Sequence, residues 1–450
     1  MNKKFVMLIA CLIATCAAPA FGEVVSLRDA ITRALESNHL LKAATLEQGA
    51  AQEEVAASRS RYLPHLYLES GAALSNTPSS VFLMKLDEAR INPDSDFAKD
   101  TLNHPGARGD FKSALKLEQP LLDFGISADV QLAAKEAEAA KVSLDLAREQ
   151  VAFRVYNAYL DVRRAKAFRD VADQAVADAR EHGRLAEVRE RDGVGLKSDQ
   201  LRTATALSEA RQRLISASND LLLARLRLNL VVGGKQGEAL DIGELPGEAT
   251  NLAELPSQGD LLSLAQKNRP ELRAAEKTVE KGELAVQQAR NAYLPTIYAS
   301  AAYQVNDRDL PLGYDNDSWS VGVMLRWELF DGNRRYHQKG KAELGRKASA
   351  ARLENDRREV ALQVTEAVLR RQEAAGKLES ARAALQAAQE GVRLVGLRFE
   401  NGLSPMVELM DAEAALNRSR ANLVEVENSY LRSAAQIYFT AGVFMTEVLR

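Results

Sequence analysis

The two halves of this chain carry the same apolar heptad pattern, displaced by 209 residues. Leucines recur every seven residues from Leu207 to Leu228, and apolar residues recur in the same register from Leu416 to Ile437. Four matches at one constant offset indicate an internal duplication, and sustained heptads are typical of long helices that pack side by side. The sequence therefore predicts two copies of one unit, divided between residues 233 and 256.

Short motifs outside the heptads repeat as well. A Tyr-Leu-Pro junction occurs at 62–64 and again at 293–295, and Gly193 of the first unit corresponds to Gly402 of the second. Each unit is predicted to contain, in order, a helix, a strand, a loop, a strand, a very long helix, a turn and a long helix. The predicted domains are a signal peptide at 1–22, a first repeat at 23–245 (β-hairpin 64–120, long helices 126–231) and a second repeat at 246–450 (β-hairpin 295–330, long helices 333–440).

Proline placement supports helices of unusual length. No proline lies between residues 121 and 245, and Pro405 is the one proline after Pro311. Because proline is costly inside a helix, these gaps permit long uninterrupted helices. The predicted long helices are 126–191, 198–231, 333–399 and 406–440.

The clearest strand runs from Ser318 to Glu328, where apolar and polar residues alternate. Trp319 and Trp327 mark the ends of its apolar face, roughly 26 Å apart along an extended strand. That spacing matches the aromatic girdles of an outer-membrane strand, although a soluble sandwich strand can look the same. Further strands are predicted at 66–74, 111–118 and 297–305, and the segment 75–109 is predicted to be a long polar loop.

Four strands cannot close a membrane barrel, because open edges leave backbone groups unsatisfied in lipid. A closed barrel needs about eight or more strands. The chain must therefore oligomerise, or its strands must form a small soluble sheet.

The N-terminus predicts export. Lys3 and Lys4 precede an apolar run and then small residues, which is typical of a secretory signal peptide cleaved near Ala20 or Gly22. A lipoprotein signal at Cys11 is the second interpretation. Both cysteines lie in this segment, so the mature chain is predicted to lack disulfides and thiol chemistry. Removing the two lysines changes the net charge from -3 to about -5, and nothing points to nucleic acid.

Enzyme chemistry has little support in the sequence. The five histidines are scattered without the spacing of metal ligands, and no nucleophile–base constellation is visible. The run from Gly233 to Lys235 lacks the spacing of a phosphate loop and is interpreted as the end of a helix. The expectation is a protein that is not an enzyme and has no cofactor.

The duplicated Tyr-Leu-Pro junctions, the segments 119–123 and 328–332, and the run 399–412 together resemble the TolC family of outer-membrane efflux and secretion channels. The resemblance covers the mature chain end to end. It implies a mainly α-helical homotrimer that contacts the lipid of the cell outer membrane. Each subunit would give four strands to a shared twelve-stranded transmembrane β-barrel and its coiled-coil helices to a long periplasmic α-barrel.

The resemblance also implies a functional site at the periplasmic tip of the helices. Glu408 and Asp411 occupy the positions of acidic rings at the tunnel entrance, and Asp199 and Phe399 occupy further gate positions. Ordinary solvated helix acids are the alternative interpretation of the two carboxylates.

Two further features of the tip follow from the resemblance. With Ser404 and Phe399 at their positions, the links that hold some family members shut are expected to be weaker or missing here. Gly193 and Gly402 resemble the tip turns that dock a periplasmic adaptor protein.

The implied function is the exit duct of a tripartite efflux pump. Such a duct passively conducts small molecules to the exterior, and its partners are a periplasmic adaptor (membrane fusion) protein and an inner-membrane pump. An exit duct of type I protein secretion is one alternative. The other, from a different class, is a periplasmic coiled-coil structural or adaptor protein.

Overall fold

A computed structural model describes residues 24–244 and 256–448. The predicted signal peptide, both cysteines and the predicted boundary between the repeats at 245/246 lie outside the described residues. The strands are β1 (Val24–Val25), β2 (His65–Ser75), β3 (Arg108–Leu122), β4 (Asp241–Ile242), β5 (Thr296–Asp307) and β6 (Asn316–Arg326). The helices are α1 (Leu27–Ser37), α2 (His39–Ser60), α3 (Pro78–Asp87), α4 (Pro93–Asp96), α5 (Lys99–Asn103), α6 (Phe124–Arg191), α7 (Lys197–Val232), α8 (Gln258–Asn268), α9 (Pro270–Asn291), α10 (Arg334–Glu400), α11 (Met406–Thr440) and α12 (Phe444–Val448).

The four predicted long helices are present, with ends within two residues of the predicted positions. They are α6 with 68 residues, α7 with 36, α10 with 67 and α11 with 35. At 1.5 Å per residue, α6 and α10 are each about 100 Å long. No helix in residues 24–244 or 256–448 combines the length and the apolar character needed to cross a membrane.

The chain divides into two compact units. The helical unit comprises the described residues of 1–45, 143–273 and 356–450, and the sheet unit comprises 46–142 and 274–355. The main core of the helical unit forms where α1, α6, α7, α11 and α12 meet, and Tyr156, Tyr159 and Leu228 are fully buried there. Burying each such side chain contributes about 1.5–3 kcal/mol, so this core stabilises the helices that propensity alone leaves marginal.

Tyr159 connects α6 to the small parallel sheet of β1 and β4. Its hydroxyl donates a hydrogen bond to the carbonyl oxygen of Gly243 at 2.8 Å. Burial raises the pKa of Tyr159 to about 12, so the hydroxyl stays protonated and remains a donor at physiological pH.

The sheet unit contains one antiparallel sheet with the order β2-β3-β5-β6. Trp319 on β6 lies opposite Tyr303 on β5, and the apolar residues of β6 are exposed. β2 and β6 are the edge strands, and each leaves one row of backbone groups without a strand partner in the described part of the chain.

Three local expectations about this sheet were wrong. β6 ends at Arg326, which pairs with Thr296, so Trp327 follows the strand instead of ending its face. The segment 75–109 is not a structureless loop, because α3, α4 and α5 form within it. The strand predicted at 111–118 extends to Leu122 as β3, with Pro120 inside it at a register shift.

The predicted helix end at Gly233 is confirmed, and it gives a stability prediction. Gly233 has φ = 85°, and a Cβ there would meet the carbonyl oxygen of Ser37 at 2.7 Å. Gly237 has φ = 87° but no neighbouring atom within 4 Å of a built Cβ.

We expect Gly233→Ala to destabilise the protein by about 2–4 kcal/mol through backbone strain and the clash, and Gly237→Ala by about 1 kcal/mol. Thermal unfolding of the two variants side by side measures the difference, and equal melting temperatures would contradict the close approach to Ser37.

Candidate functional site

Each pair of long helices in the helical unit is joined by the same tight turn. Gly193 has φ = 75° and Gly402 has φ = 72°, and both follow the last residues of a long helix. The amide of Val194 donates to the carbonyl of Arg189 at 3.0 Å, and the amide of Leu403 donates to that of Arg398 at 2.8 Å. Both turns are therefore Schellman ends, in which glycine takes the left-handed position and the last helix carbonyls are satisfied.

Arg189 links the two hairpin tips. Its guanidinium lies over the ring of Phe399, 4.4 Å from the ring centre. Its Nη1 also donates to the carbonyl oxygen of Phe399 at 2.9 Å. The Phe399 side chain is buried and packs in a small cluster with Ala186, Met406 and Leu409. One arginine of the first hairpin is thus bonded to both the backbone and the ring at the end of the second hairpin.

Glu408 is held within its own hairpin. Its Oε1 accepts from Nη1 of Arg398 at 3.2 Å, and its Oε2 accepts from the hydroxyl of Ser404. The carboxylate is half-buried. Asp411, one turn further along α11, is exposed and has no ion-pair partner in the described part of the chain. The two acids therefore differ in their partners: Arg398 is paired with Glu408, and no cation among the described residues is paired with Asp411.

A cleft of about 370 Å³ lies between the two turns. It brings together Asp199, Phe399 and Gly402 of the predicted site, and it also contains Ser404 and Arg189. Glu408, Asp411 and Gly193 are not among its described lining residues. The structure thus gathers part of the predicted site in one cleft and leaves the acidic pair outside it.

A seam of charged pairs between α6 and α11 leads to this tip. Four pairs follow one another from the core toward the tip. Three of them join an arginine to a carboxylate, and the fourth joins a histidine to a carboxylate. The pairs are Arg432 with Asp161, Arg164 with Glu425 (3.0 Å), Arg420 with Asp178 (3.2 Å) and His182 with Glu413 (3.5 Å). The three arginines alternate between the two helices, so the seam fixes the antiparallel register of α6 against α11.

The tip contains links that the sequence did not suggest. The hydroxyl of Ser404 donates to Glu408, and the carbonyl oxygen of Phe399 accepts from Arg189. Sequence reasoning missed Arg189 and Arg398 altogether. Their one sequence signal is position, because both lie four residues before a turn glycine, at 193 and 402.

Within residues 24–244 and 256–448, no group of three or more His, Cys, Asp and Glu side chains could hold a metal ion. The positioned groups at the tip are arginines, carboxylates and a buried aromatic ring. Such groups can hold two hairpins together and set the charge of a passage.

Comparison with known proteins identifies the family of this chain. The model of the outer membrane efflux protein family matches residues 30–234 and 261–443. The chain is 24% identical over 431 residues to the proteases secretion protein PrtF of Dickeya chrysanthemi. The alignment covers 94% of this chain and 89% of PrtF.

Solved channels share the fold. The Campylobacter jejuni CmeC outer membrane channel superposes with a TM-score of 0.76 at 15% identity, covering 93% of this chain and 86% of CmeC. The open state of the Neisseria gonorrhoeae MtrE outer membrane channel superposes with a TM-score of 0.74 at 18% identity, covering 93% of this chain and 89% of MtrE. The chain belongs to the outer membrane efflux protein family, a family of transport channels of the outer membrane with a long helical portion in the periplasm.

Proposed function

We propose that three copies of this chain form the exit duct of a tripartite efflux pump. The duct passively conducts small molecules from the pump and the periplasm to the exterior, and the energy comes from an inner-membrane pump. The proposal rests on the family membership and on the unpaired edges of β2 and β6, which a second and a third copy would pair into a closed barrel. In this arrangement Trp319 and Trp327 lie near the two rims of the apolar band.

The contact between Arg189 and Phe399 is the observation that supports a gate at the hairpin tips. A passage closed by helix hairpins opens when neighbouring hairpins separate, so a contact that fastens one hairpin tip to the other stabilises the closed state. The cation–π contact and the charged hydrogen bond together contribute about 2–4 kcal/mol by their usual magnitudes. A loss of that amount shifts an open–closed equilibrium toward the open state by more than tenfold, since 1.4 kcal/mol is a factor of ten.

Glu408, Asp411 and Asp199 give the proposed gate its charge. In a trimer each of these residues occurs three times around one axis, and a ring of carboxylates in a narrow passage attracts cations. Asp199 and Glu408 are related by the same 209-residue offset as the two turns, so both repeats place an acid in the first turn of the returning helix. The gate is thus predicted to be cation-selective.

The two turns are the proposed docking points for the periplasmic adaptor. Gly193 and Gly402 end the helices, and the residues that follow them, Val194 and Leu403, are each 71% exposed. Two apolar side chains presented at the ends of two hairpins form a repeated anchor for a helical partner.

Protein secretion remains a second candidate, because PrtF is named for protease secretion and matches nearly the whole chain. Removing the gene from its own host separates the two functions. For the efflux duct, we expect retention of the cationic dye ethidium to rise severalfold while the secreted proteins in the medium are unchanged. Loss of one secreted protein with normal dye retention would support the secretion duct. No change in either measurement would contradict both functions.

A further inference from the structure

A basic cleft of about 610 Å³ lies in the sheet unit, where the end of α9 meets the start of α10. We define the basic cleft by six of its charged and aromatic residues. They are Arg290, Tyr336, His337, Lys339, Lys341 and Glu343. Its size is within the range of small-molecule sites in proteins.

Positive charge in the basic cleft exceeds negative charge. Lys339 lies 3.9 Å from Glu343, at the limit of an ion pair. Arg290 and Lys341 have no carboxylate within ion-pairing distance in the described part of the chain, and both are exposed. The cleft therefore keeps about two uncompensated positive charges with histidine neutral, which is suited to one phosphate group.

The wall beside these charges is rigid. Arg335 is buried, and its guanidinium lies over the ring of Tyr293 at 4.9 Å while Nε donates to Asp331 at 2.9 Å. The indole of Trp327 donates to the carbonyl oxygen of Tyr293 at 3.0 Å. Tyr293 also lines the cleft, so three residues hold one of its walls in place.

Exposed apolar side chains precede the start of α10, on β6 and in the segment after it. Val321, Val323 and Leu325 are exposed along the strand, and Leu329 and Phe330 are more than 75% exposed just after it. Because the family places the long helices in the periplasm, the helix end of this sheet is the periplasmic side of the membrane. Apolar and aromatic residues followed by lysine and arginine are typical of a protein surface at the lipid headgroups.

The two lysines of the basic cleft are specific to the second repeat. Aligning Asp331 with Asp123 places Ala128, Asp129, Gln131 and Ala133 where α10 has Tyr336, His337, Lys339 and Lys341. The first copy of the duplicated unit thus folds with neutral or acidic residues at these positions. The lysines are therefore not required for a helix of this type to begin.

We propose that the basic cleft binds the headgroup phosphate of an anionic phospholipid in the periplasmic leaflet of the outer membrane. Arg290 and Lys341 contact the phosphate, Tyr336 packs against the glycerol region, and the acyl chains lie along the apolar face of β6. One lipid on each subunit fixes the height of the protein in the membrane.

Native mass spectrometry of the detergent-solubilised protein tests this assignment with phosphatidylglycerol and phosphatidylcholine as probes. We expect phosphatidylglycerol to bind on the order of tenfold more tightly than phosphatidylcholine. The double variant Arg290→Gln/Lys341→Gln is expected to bind both lipids equally. The matched control Lys347→Gln/Arg352→Gln removes two exposed charges from the same helix outside the cleft and is expected to keep the preference.

Three results would overturn the assignment. The wild type could bind the two lipids equally, the double variant could keep its preference, or excess inorganic phosphate could displace the lipid completely. The last result would mean a free phosphate site. If the double variant lost its oligomeric mass but kept phosphatidylglycerol, the cleft would contact a second copy of the chain and the lipid assignment would be wrong.

Discussion

Arg189→Ala is expected to raise the open fraction of the channel at rest by tenfold or more. The variant loses the cation–π contact with Phe399 at 4.4 Å and the hydrogen bond to the Phe399 carbonyl at 2.9 Å. A loss of about 2 kcal/mol in each subunit changes an open–closed equilibrium by more than tenfold, since 1.4 kcal/mol is a factor of ten. Single-channel recording in a planar bilayer measures the open fraction directly.

Two variants serve as controls for Arg189. Arg180→Ala removes an exposed arginine from the same helix and is expected to leave the open fraction unchanged. Phe399→Leu keeps the backbone hydrogen bond but removes the ring, so its effect is expected to be intermediate. If Arg189→Ala and Arg180→Ala behaved alike, the link between the hairpin tips would not control opening.

Replacing Glu408 and Asp411 together with alanine is expected to abolish block of the channel by a trivalent cation such as hexaamminecobalt. In a trimer the double variant removes six carboxylates, and with them most of the field that concentrates a trivalent ion in a narrow passage. Since Arg398 already compensates Glu408 while Asp411 is exposed and unpaired among the described residues, Asp411→Ala alone is expected to remove the larger part of the block.

The control for the acidic pair also removes one acid that is ion-paired and one that is not. Glu390 is paired with Arg393 at 2.7 Å, and Glu379 has no ion pair in the described part of the chain, so Glu379→Ala/Glu390→Ala removes one paired and one unpaired acid from α10. This control is expected to be blocked like the wild type. Unchanged block in the Glu408/Asp411 variant would show that these residues lie away from the constriction.

The helices could be predicted closely because their signals are local. Heptads set the helix type, and the absence of proline set the length, so the prediction of 333–399 differs from the observed Arg334–Glu400 by one residue at each end. The strand predicted at 318–328 has the observed length but lies two residues too far along the chain, because alternation of side chains continues past the last paired residue, Arg326.

The helices between β2 and β3 were missed because their composition is that of a loop. Pro78 and Pro93 lie in the first turns of α3 and α4, where proline is well tolerated, so here the prolines begin helices. The segment is then fixed by tertiary contacts, among them the ion pair of Arg108 with the buried Glu88. No local pattern reveals a pair that spans a turn and a strand.

The tip shows the same division between local and distant signals. The turn glycines were evident from the sequence because each ends a helix in a left-handed conformation. The Arg189–Phe399 link was not, because it joins residues 210 positions apart and depends on the register of two helices. The charged seam between α6 and α11 places the second hairpin, which contains Phe399, against α6, and this seam becomes visible when the helices are paired in the structure.

The central claim is that the chain is a gated duct, and single-channel conductance of the purified protein tests it most directly when the mass in detergent is measured on the same sample. The account predicts a trimer with a small, cation-selective conductance that rises in Arg189→Ala. A monomer or a trimer without any conductance, in both the wild type and Arg189→Ala, would contradict it.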